Sequence, residues 1–189
     1  MGTIKAKISI ERAKGIPGHM HDGELEWLAH QASIHSRIVE VGSWMGRSTR
    51  AMADNTTGDI WAVDTFDGGK GMAHDLVGKG SGWLFGEFVR NVGDCKNVLP
   101  VVKSSAEAWW YARGMGKTFD MVFLDGDHDY ETVLDDISTW SGLLDVNGLL
   151  CGHDYADRCP GVKWAVEEFV PNFKLMEFPG PERSIWYRP

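Results

Sequence analysis

The stretch Glu40-Val41-Gly42-Ser43-Trp44-Met45-Gly46-Arg47-Ser48-Thr49 decides the fold. A β-branched run, 37–41, meets a glycine, passes through a short loop and enters a helical segment with no linker. That strand–loop–helix is the unit from which parallel α/β sheets are built. Gly42 permits a sharp turn and close approach of a ligand, and Gly46 lets the free amides of a helix start approach the same ligand. The next β-like run, 59–64, ends in Asp64, 22 residues after Gly42, where a carboxylate can accept both hydroxyls of a ribose.

The same rhythm continues outward. Further strands are expected at 98–102, 119–124 and 147–152, with helices near 23–34, 47–54, 82–93, 104–113, 130–142 and 161–170. Nearly continuous apolar strands alternating with helices predict a mostly parallel sheet covered on both faces. After Pro171 the rhythm breaks: the runs 173–178 and 184–188 are separated only by Pro179-Gly180-Pro181-Glu182-Arg183, which leaves no room for a helix. They predict an antiparallel hairpin at the sheet edge. The glycine-rich segment 67–82 reads either as a lid over a site or as a plain surface loop.

With 189 residues the chain suits one domain over 1–189, of which 1–35 form an N-terminal helical extension. Nineteen Lys plus Arg against 27 Asp plus Glu give a net charge of −8, whose field repels nucleic-acid phosphates, so no nucleic-acid partner is expected. The three cysteines, Cys95, Cys151 and Cys159, lack the spacing of a disulfide framework or a four-cysteine zinc site. With no apolar run long enough for a bilayer and no signal-peptide pattern, the expectation is a soluble cytoplasmic protein with no membrane partner. The chain shows little structure for capping a substrate, which leaves room for a homo-oligomer to supply pocket walls.

The chemistry concentrates at strand ends. A dinucleotide fingerprint needs GxGxxG, with glycines that admit a pyrophosphate. Here the spacing is GxxxG and Trp44 stands where the second glycine belongs, so a nucleoside cofactor without phosphates fits better. The fourth strand runs into Asp125-Gly126-Asp127-His128 and the fifth into Gly152-His153-Asp154-Tyr155. If these strands are neighbours, about 4.8 Å apart, then Asp125 and Asp154 can share a cation, with His153 as a third ligand or just outside the ligand set. Carboxylates and water suit Mg²⁺, whereas imidazole in the set suits another divalent cation such as manganese, iron or zinc. Without a metal, His128 or His153 can act as the general base. The competing role for these residues is helix capping, which Asp127 or Asp129 can supply to the segment from Tyr130.

Taken together, IVEVGSWMGRST (38–49), VDTFDG (63–68), FLDGDHDYETVLDDI (123–137), NGLLCGHDY (147–155) and GVKWAVEEF (161–169) resemble the class I S-adenosylmethionine-dependent methyltransferases. The branch they resemble is that of small O-methyltransferases related to macrocin O-methyltransferase and the cephalosporin-hydroxylase-like proteins. The resemblance implies a Rossmann-like, doubly wound, seven-stranded sheet whose last strand pair is antiparallel. It implies S-adenosylmethionine as cofactor, with Glu40, Gly42 and Ser43 at its methionine part, Asp64 at the ribose, and Thr65 and Phe66 beside the adenine. Trp44 and Gly46 belong to the same loop, Asp125 at the fourth-strand tip is a further candidate cofactor and catalytic residue, and the resemblance puts Ser104, Ser105 and Glu107 at the adenine edge, where Ser-x-x-Glu spacing equally suits a helix cap. Where metal-dependent relatives carry an acidic or amide pair, this chain has His153-Asp154. The implied activity is methyl transfer to a hydroxyl oxygen, or to a nitrogen, of a small molecule. The rivals are a NAD-type oxidoreductase and a catalytically inactive cofactor-binding or assembly protein of the same fold.

Overall fold

The structure is a computed structural model that describes residues 7–68, 78–180 and 184–189. Seven strands form one sheet: β1 (Arg37–Val41), β2 (Asp59–Asp64), β3 (Val98–Val102), β4 (Phe119–Leu124), β5 (Leu144–Gly152), β6 (Lys174–Glu177) and β7 (Ser184–Arg188). Their order is β3-β2-β1-β4-β5-β7-β6. The first five strands run parallel, and β7 lies antiparallel between β5 and β6. The doubly wound sheet and the C-terminal hairpin expected from the sequence are both present.

Alternation along the strands explains the two covered faces. Val39, Val41, Trp61, Val63, Val122 and Leu124 join one buried cluster. It is closed by α5 (Ser105–Gly114), α6 (Tyr130–Ser141) and α7 (Pro160–Phe169). Their sequence neighbours Ile38, Ile60, Met121 and Phe123 point the other way, toward α1 (Glu11–Lys14), α2 (Asp22–Ala32) and α3 (Arg47–Ala53). A strand apolar on both faces can sit only inside such a sandwich. On the α3 side, α4 (Trp83–Val92) lays Leu84, Phe88 and Val92 over Ala62 and Phe66. The N-terminal extension shares this core, since Ile10, Ala13, Leu25 and Leu28 are buried with Ile38 and Met121.

Two details depart from the sequence reading. The single turn of α1 was not expected, and β5 begins at Leu144 rather than 147 because Leu144 pairs with Phe119 ahead of a register irregularity. Val146, in that early portion, is 99% exposed, so this part of the strand carries no burial pattern to read. Residues 69–77, most of the expected lid, lie outside the described residues.

β1 is the switch point: β2 lies on one side of it and β4 on the other. Open α/β sheets bind ligands outside the carboxyl ends of the strands at this place. A cavity of about 500 Å³ opens there.

Candidate active site

At the β1 end of the cavity the chain turns through Gly42 at φ +92°. A Cβ on Gly42 would lie 2.0 Å from the Asp125 carbonyl oxygen, so glycine is required for the loops after β1 and β4 to touch. Three of the four described non-glycine residues at positive φ, Trp44, Phe66 and Asp154, follow strand ends at this edge of the sheet. Backbone held in that region costs about 1–3 kcal/mol per residue and is usually found where a site requires it.

Asp64 closes the next strand. One carboxylate oxygen accepts the Trp44 amide at 2.8 Å and the other the Phe66 amide at 2.7 Å. Burial raises its pKa, while those amides act in the opposite direction. An ionised carboxylate has about four acceptor positions, more than the backbone amides fill, so Asp64 keeps acceptor capacity where it lines the cavity. Gly42, Ser43, Trp44, Asp64 and Thr65 all line it.

Of the other expected cofactor residues, Ser105 lines the cavity and Glu40, Gly46 and Phe66 do not. Glu40 is fully buried behind the loop and accepts a hydrogen bond from the Thr49 hydroxyl; burial pushes its carboxyl up to about 7. Its Oε1, like the Ser43 hydroxyl, has no hydrogen-bond partner in the protein. Gly46, at φ +85°, begins α3, and a Cβ there would meet Val92 at 2.8 Å, so its role is packing against α4. Phe66 is buried between Phe85 and Phe88, with ring centroids 5.1 and 4.9 Å away. Ser104, not Ser105, caps α5, forming a capping box with Glu107. Ser105 lines the cavity wall, donates to Asp136 and accepts from the Trp140 indole at 2.8 Å.

The second end of the cavity is a network of charged side chains. His153 is 6% exposed, with Nδ1 3.4 Å from Asp125 Oδ1 and 3.2 Å from Asp154 Oδ2. Asp154 Oδ2 also lies 2.9 Å from His128 Nε2, and its Oδ1 accepts from Arg158 at 2.6 Å. Burial works to raise Asp154, yet the two imidazoles hold it well below the usual carboxylate range. His128 is raised chiefly by its bond to Asp154. Burial works to lower His153, and Asp125, Asp154 and Glu24 outweigh it, so its pKa lies well above the ordinary value. The structure therefore brings together Asp125, His128, His153 and Asp154, as expected. Ligand atoms of Asp125, His153 and Asp154 lie within 4.8 Å of one another.

Helix capping does not account for them. Asp127 accepts the amides of His128 and Asp129, and Asp129 occupies the N-cap of α6 without a side-chain cap bond. Sequence reasoning missed Arg158, whose four-residue offset from Asp154 was the available signal, and Glu24, whose offset from His21 marks a capping box and nothing further. It also missed Arg47, which binds the carbonyls of Ile16 and Met20 at 2.6 and 3.1 Å. Those bonds hold Gly18, His19 and Met20 along one wall of the cavity.

Residues 39–155 match the family described as "Methyltransferase domain", and the chain belongs to that family. Among solved structures, it is similar to the O-methyltransferase from Bacillus cereus in complex with SAH, at 14% identity and a TM-score of 0.67, covering 97% of this chain and 91% of that one. CalS11, a TDP-rhamnose 3'-O-methyltransferase of calicheamicin biosynthesis, is similar at 16% identity and a TM-score of 0.63, covering 87% and 76%. The O-methyltransferase NovP is similar at 19% identity and a TM-score of 0.61, covering 87% and 78%. At these identities the likeness is one of fold. No curated protein matches the sequence. Among the described residues, no helix is long and apolar enough to cross a membrane.

Proposed function

We propose that the whole chain is one S-adenosylmethionine-dependent methyltransferase domain that methylates a hydroxyl oxygen of a small molecule, assisted by a divalent cation. The observation that carries this reading is a single cavity with two chemically different ends: Asp64 with free acceptor positions at one, and the Asp125–His153–Asp154 cluster at the other. A ribose diol matches Asp64, and the unpartnered Ser43 hydroxyl is the nearby polar group available to the amino-acid part of the cofactor. Trp44 on the loop, and Gly46 turned into α4, leave no glycine cradle for a pyrophosphate, which argues against a dinucleotide.

Charge balance supports the cation. The network holds three carboxylates, Glu24, Asp125 and Asp154, and one guanidinium, Arg158, which leaves two negative charges for the two imidazoles to neutralise by protonation. One divalent cation would supply the same balance and leave both rings neutral. Asp125, Asp154 and His153 Nδ1 would hold it, a mixed oxygen and nitrogen set that suits Mn²⁺ or Mg²⁺ with water completing the shell. When bound, the cofactor would supply an electrophilic methyl group and the cation a Lewis acid that makes an acceptor hydroxyl more acidic. The residues do the rest: Asp64 fixes the nucleoside, Gly42 brings its loop against Asp125, and His128, whose side chain is 40% exposed, takes up the hydroxyl proton. The acidic surface, at −8, favours a small acceptor over a nucleic acid.

Titration calorimetry tests the first half. S-adenosylhomocysteine should bind and NAD should not, and Asp64→Ala should weaken S-adenosylhomocysteine about 100-fold by removing two charge-assisted hydrogen bonds. Unchanged affinity in Asp64→Ala, or preferential binding of NAD, would refute the placement.

A further inference from the structure

Glu24 enters the charge balance above but not the residues that would hold the cation, and it is one of the most buried charged residues in the protein, 1% exposed. It occupies N3 of α2, where Oε2 accepts the His21 amide at 2.6 Å and completes a capping box. Capping explains one oxygen. It does not explain burial of the charge, because glutamine serves the same box and a buried carboxylate is costly unless it is paired. The second oxygen identifies the partner: Oε1 is 2.9 Å from Nε2 of His153, 129 residues away in sequence.

His153 is thus held from behind. Its two ring nitrogens are linked, since the hydrogen bond made by one determines which atom the other presents. With Nε2–H donated to Glu24, Nδ1 is the atom that faces Asp125 at 3.4 Å and Asp154 at 3.2 Å, bearing a proton when the ring is charged and a lone pair when it is neutral. A lone pair between two carboxylates is repelled by both unless a positive centre lies among them. Imidazoles that bind metals generally donate the other N–H to a carboxylate or carbonyl, which fixes the ring and makes the ligating nitrogen more basic.

We infer that Glu24 is a positioning residue of the acceptor-activating centre: it locks His153 so that Nδ1 is the atom offered to a divalent cation shared with Asp125 and Asp154. The inference rests on the cation reading proposed above. It assigns a functional duty to the N-terminal extension, because α2 becomes the support for a ligand carried on the far side of the sheet's switch point. Glu24 touches neither cofactor nor acceptor and acts only through the ring.

The experiment compares Mn²⁺ binding, followed by the electron paramagnetic resonance of free Mn²⁺, in wild type, Glu24→Ala and Glu24→Gln. Thermal melting and S-adenosylhomocysteine affinity are measured on the same samples. Loss of the orienting partner should weaken Mn²⁺ about 10- to 100-fold in Glu24→Ala. Glutamine has one carbonyl oxygen where glutamate has two: turned toward His153 it accepts Nε2–H and gives up the cap on the His21 amide, so it should recover part of that loss, and S-adenosylhomocysteine affinity should stay within about twofold in both. Nitrogen-15 spectra of the Mg²⁺-loaded wild type should show His153 protonated at Nε2 and not at Nδ1. Mn²⁺ affinity equal to wild type in both variants, or Nδ1 protonated in the loaded protein, would reduce Glu24 to a helix staple while leaving the cation reading intact. A wild-type protein that binds no Mn²⁺ would overturn the cation reading and this role with it.

Discussion

The two ends of the cavity neutralise buried carboxylates by different means. At the cofactor end Asp64 is held by two backbone amides, which cannot titrate and have no side chain to be substituted. At the acceptor end Asp125 and Asp154 are held by two imidazoles and a guanidinium, whose protons and positions exchange with solvent and ions. The first arrangement yields a binding site whose carboxylate is held by partners of fixed protonation. The second yields a centre that can hold protons or a cation, as acceptor activation requires.

The most damaging test attacks the point where the two ends touch. Gly42→Ala places a methyl 2.0 Å from a backbone oxygen at φ +92°, so both ends should fail together. Loss of folded protein, or loss of S-adenosylhomocysteine and Mn²⁺ binding in the same variant, is the expected result; retention of either binding would show the ends to be separable. Asp154→Ala should separate them by design. Removing the oxygen shared by His128 and His153 should weaken Mn²⁺ binding at least about 100-fold, with S-adenosylhomocysteine affinity within about threefold. An equal loss of both ligands would abolish the distinction.

The smallest effect concerns Glu40, the buried acid beneath the cofactor loop. Its folded-state pKa of about 7 exceeds the ordinary value of 4.5, so the folded state binds its proton more tightly than the unfolded state. Its contribution to stability is complete below pH 4.5 and is lost as pH rises to about 7, after which it stays constant. Glu40→Gln, which cannot ionise, should therefore raise the melting temperature at pH 8 by a few degrees relative to wild type and change it little at pH 4. A uniform shift at both pH values would trace the effect to packing.

The same contrast explains what was legible in the sequence. The cofactor end is built from contacts of short range: Gly42, Trp44 and Asp64 lie on consecutive strand tips, and strand periodicity with glycine punctuation locates them. All seven strands could be read for the same reason, since apolar alternation is a local signal. The early part of β5 could not, because Leu144 is held by one long-range pairing with Phe119. At the acceptor end the strand tips named Asp125, His128, His153 and Asp154. No local pattern links Glu24 to His153, and the same spacing that marks Glu24 as a cap conceals its other oxygen. Gly46 and Phe66 show the converse case: the loop motif drew attention to them as ligand neighbours, whereas the aromatic packing of α4 claims both.

Trp186 has a consequence for the order in which the molecule becomes competent during synthesis. Its indole is 1% exposed and lies against Gly152, one residue before His153, so the wall behind the acceptor end is supplied by β7. Strands β1 to β3, with Asp64 among them, are complete by Val102, more than eighty residues before β7 begins. A nascent chain thus contains Asp64, and the Trp44 amide that holds it, long before the strand that backs His153 leaves the ribosome. The contact between the Gly42 loop and Asp125 can form once β4 is made, whereas the wall behind His153 is complete only when the antiparallel strand slides in between β5 and β6.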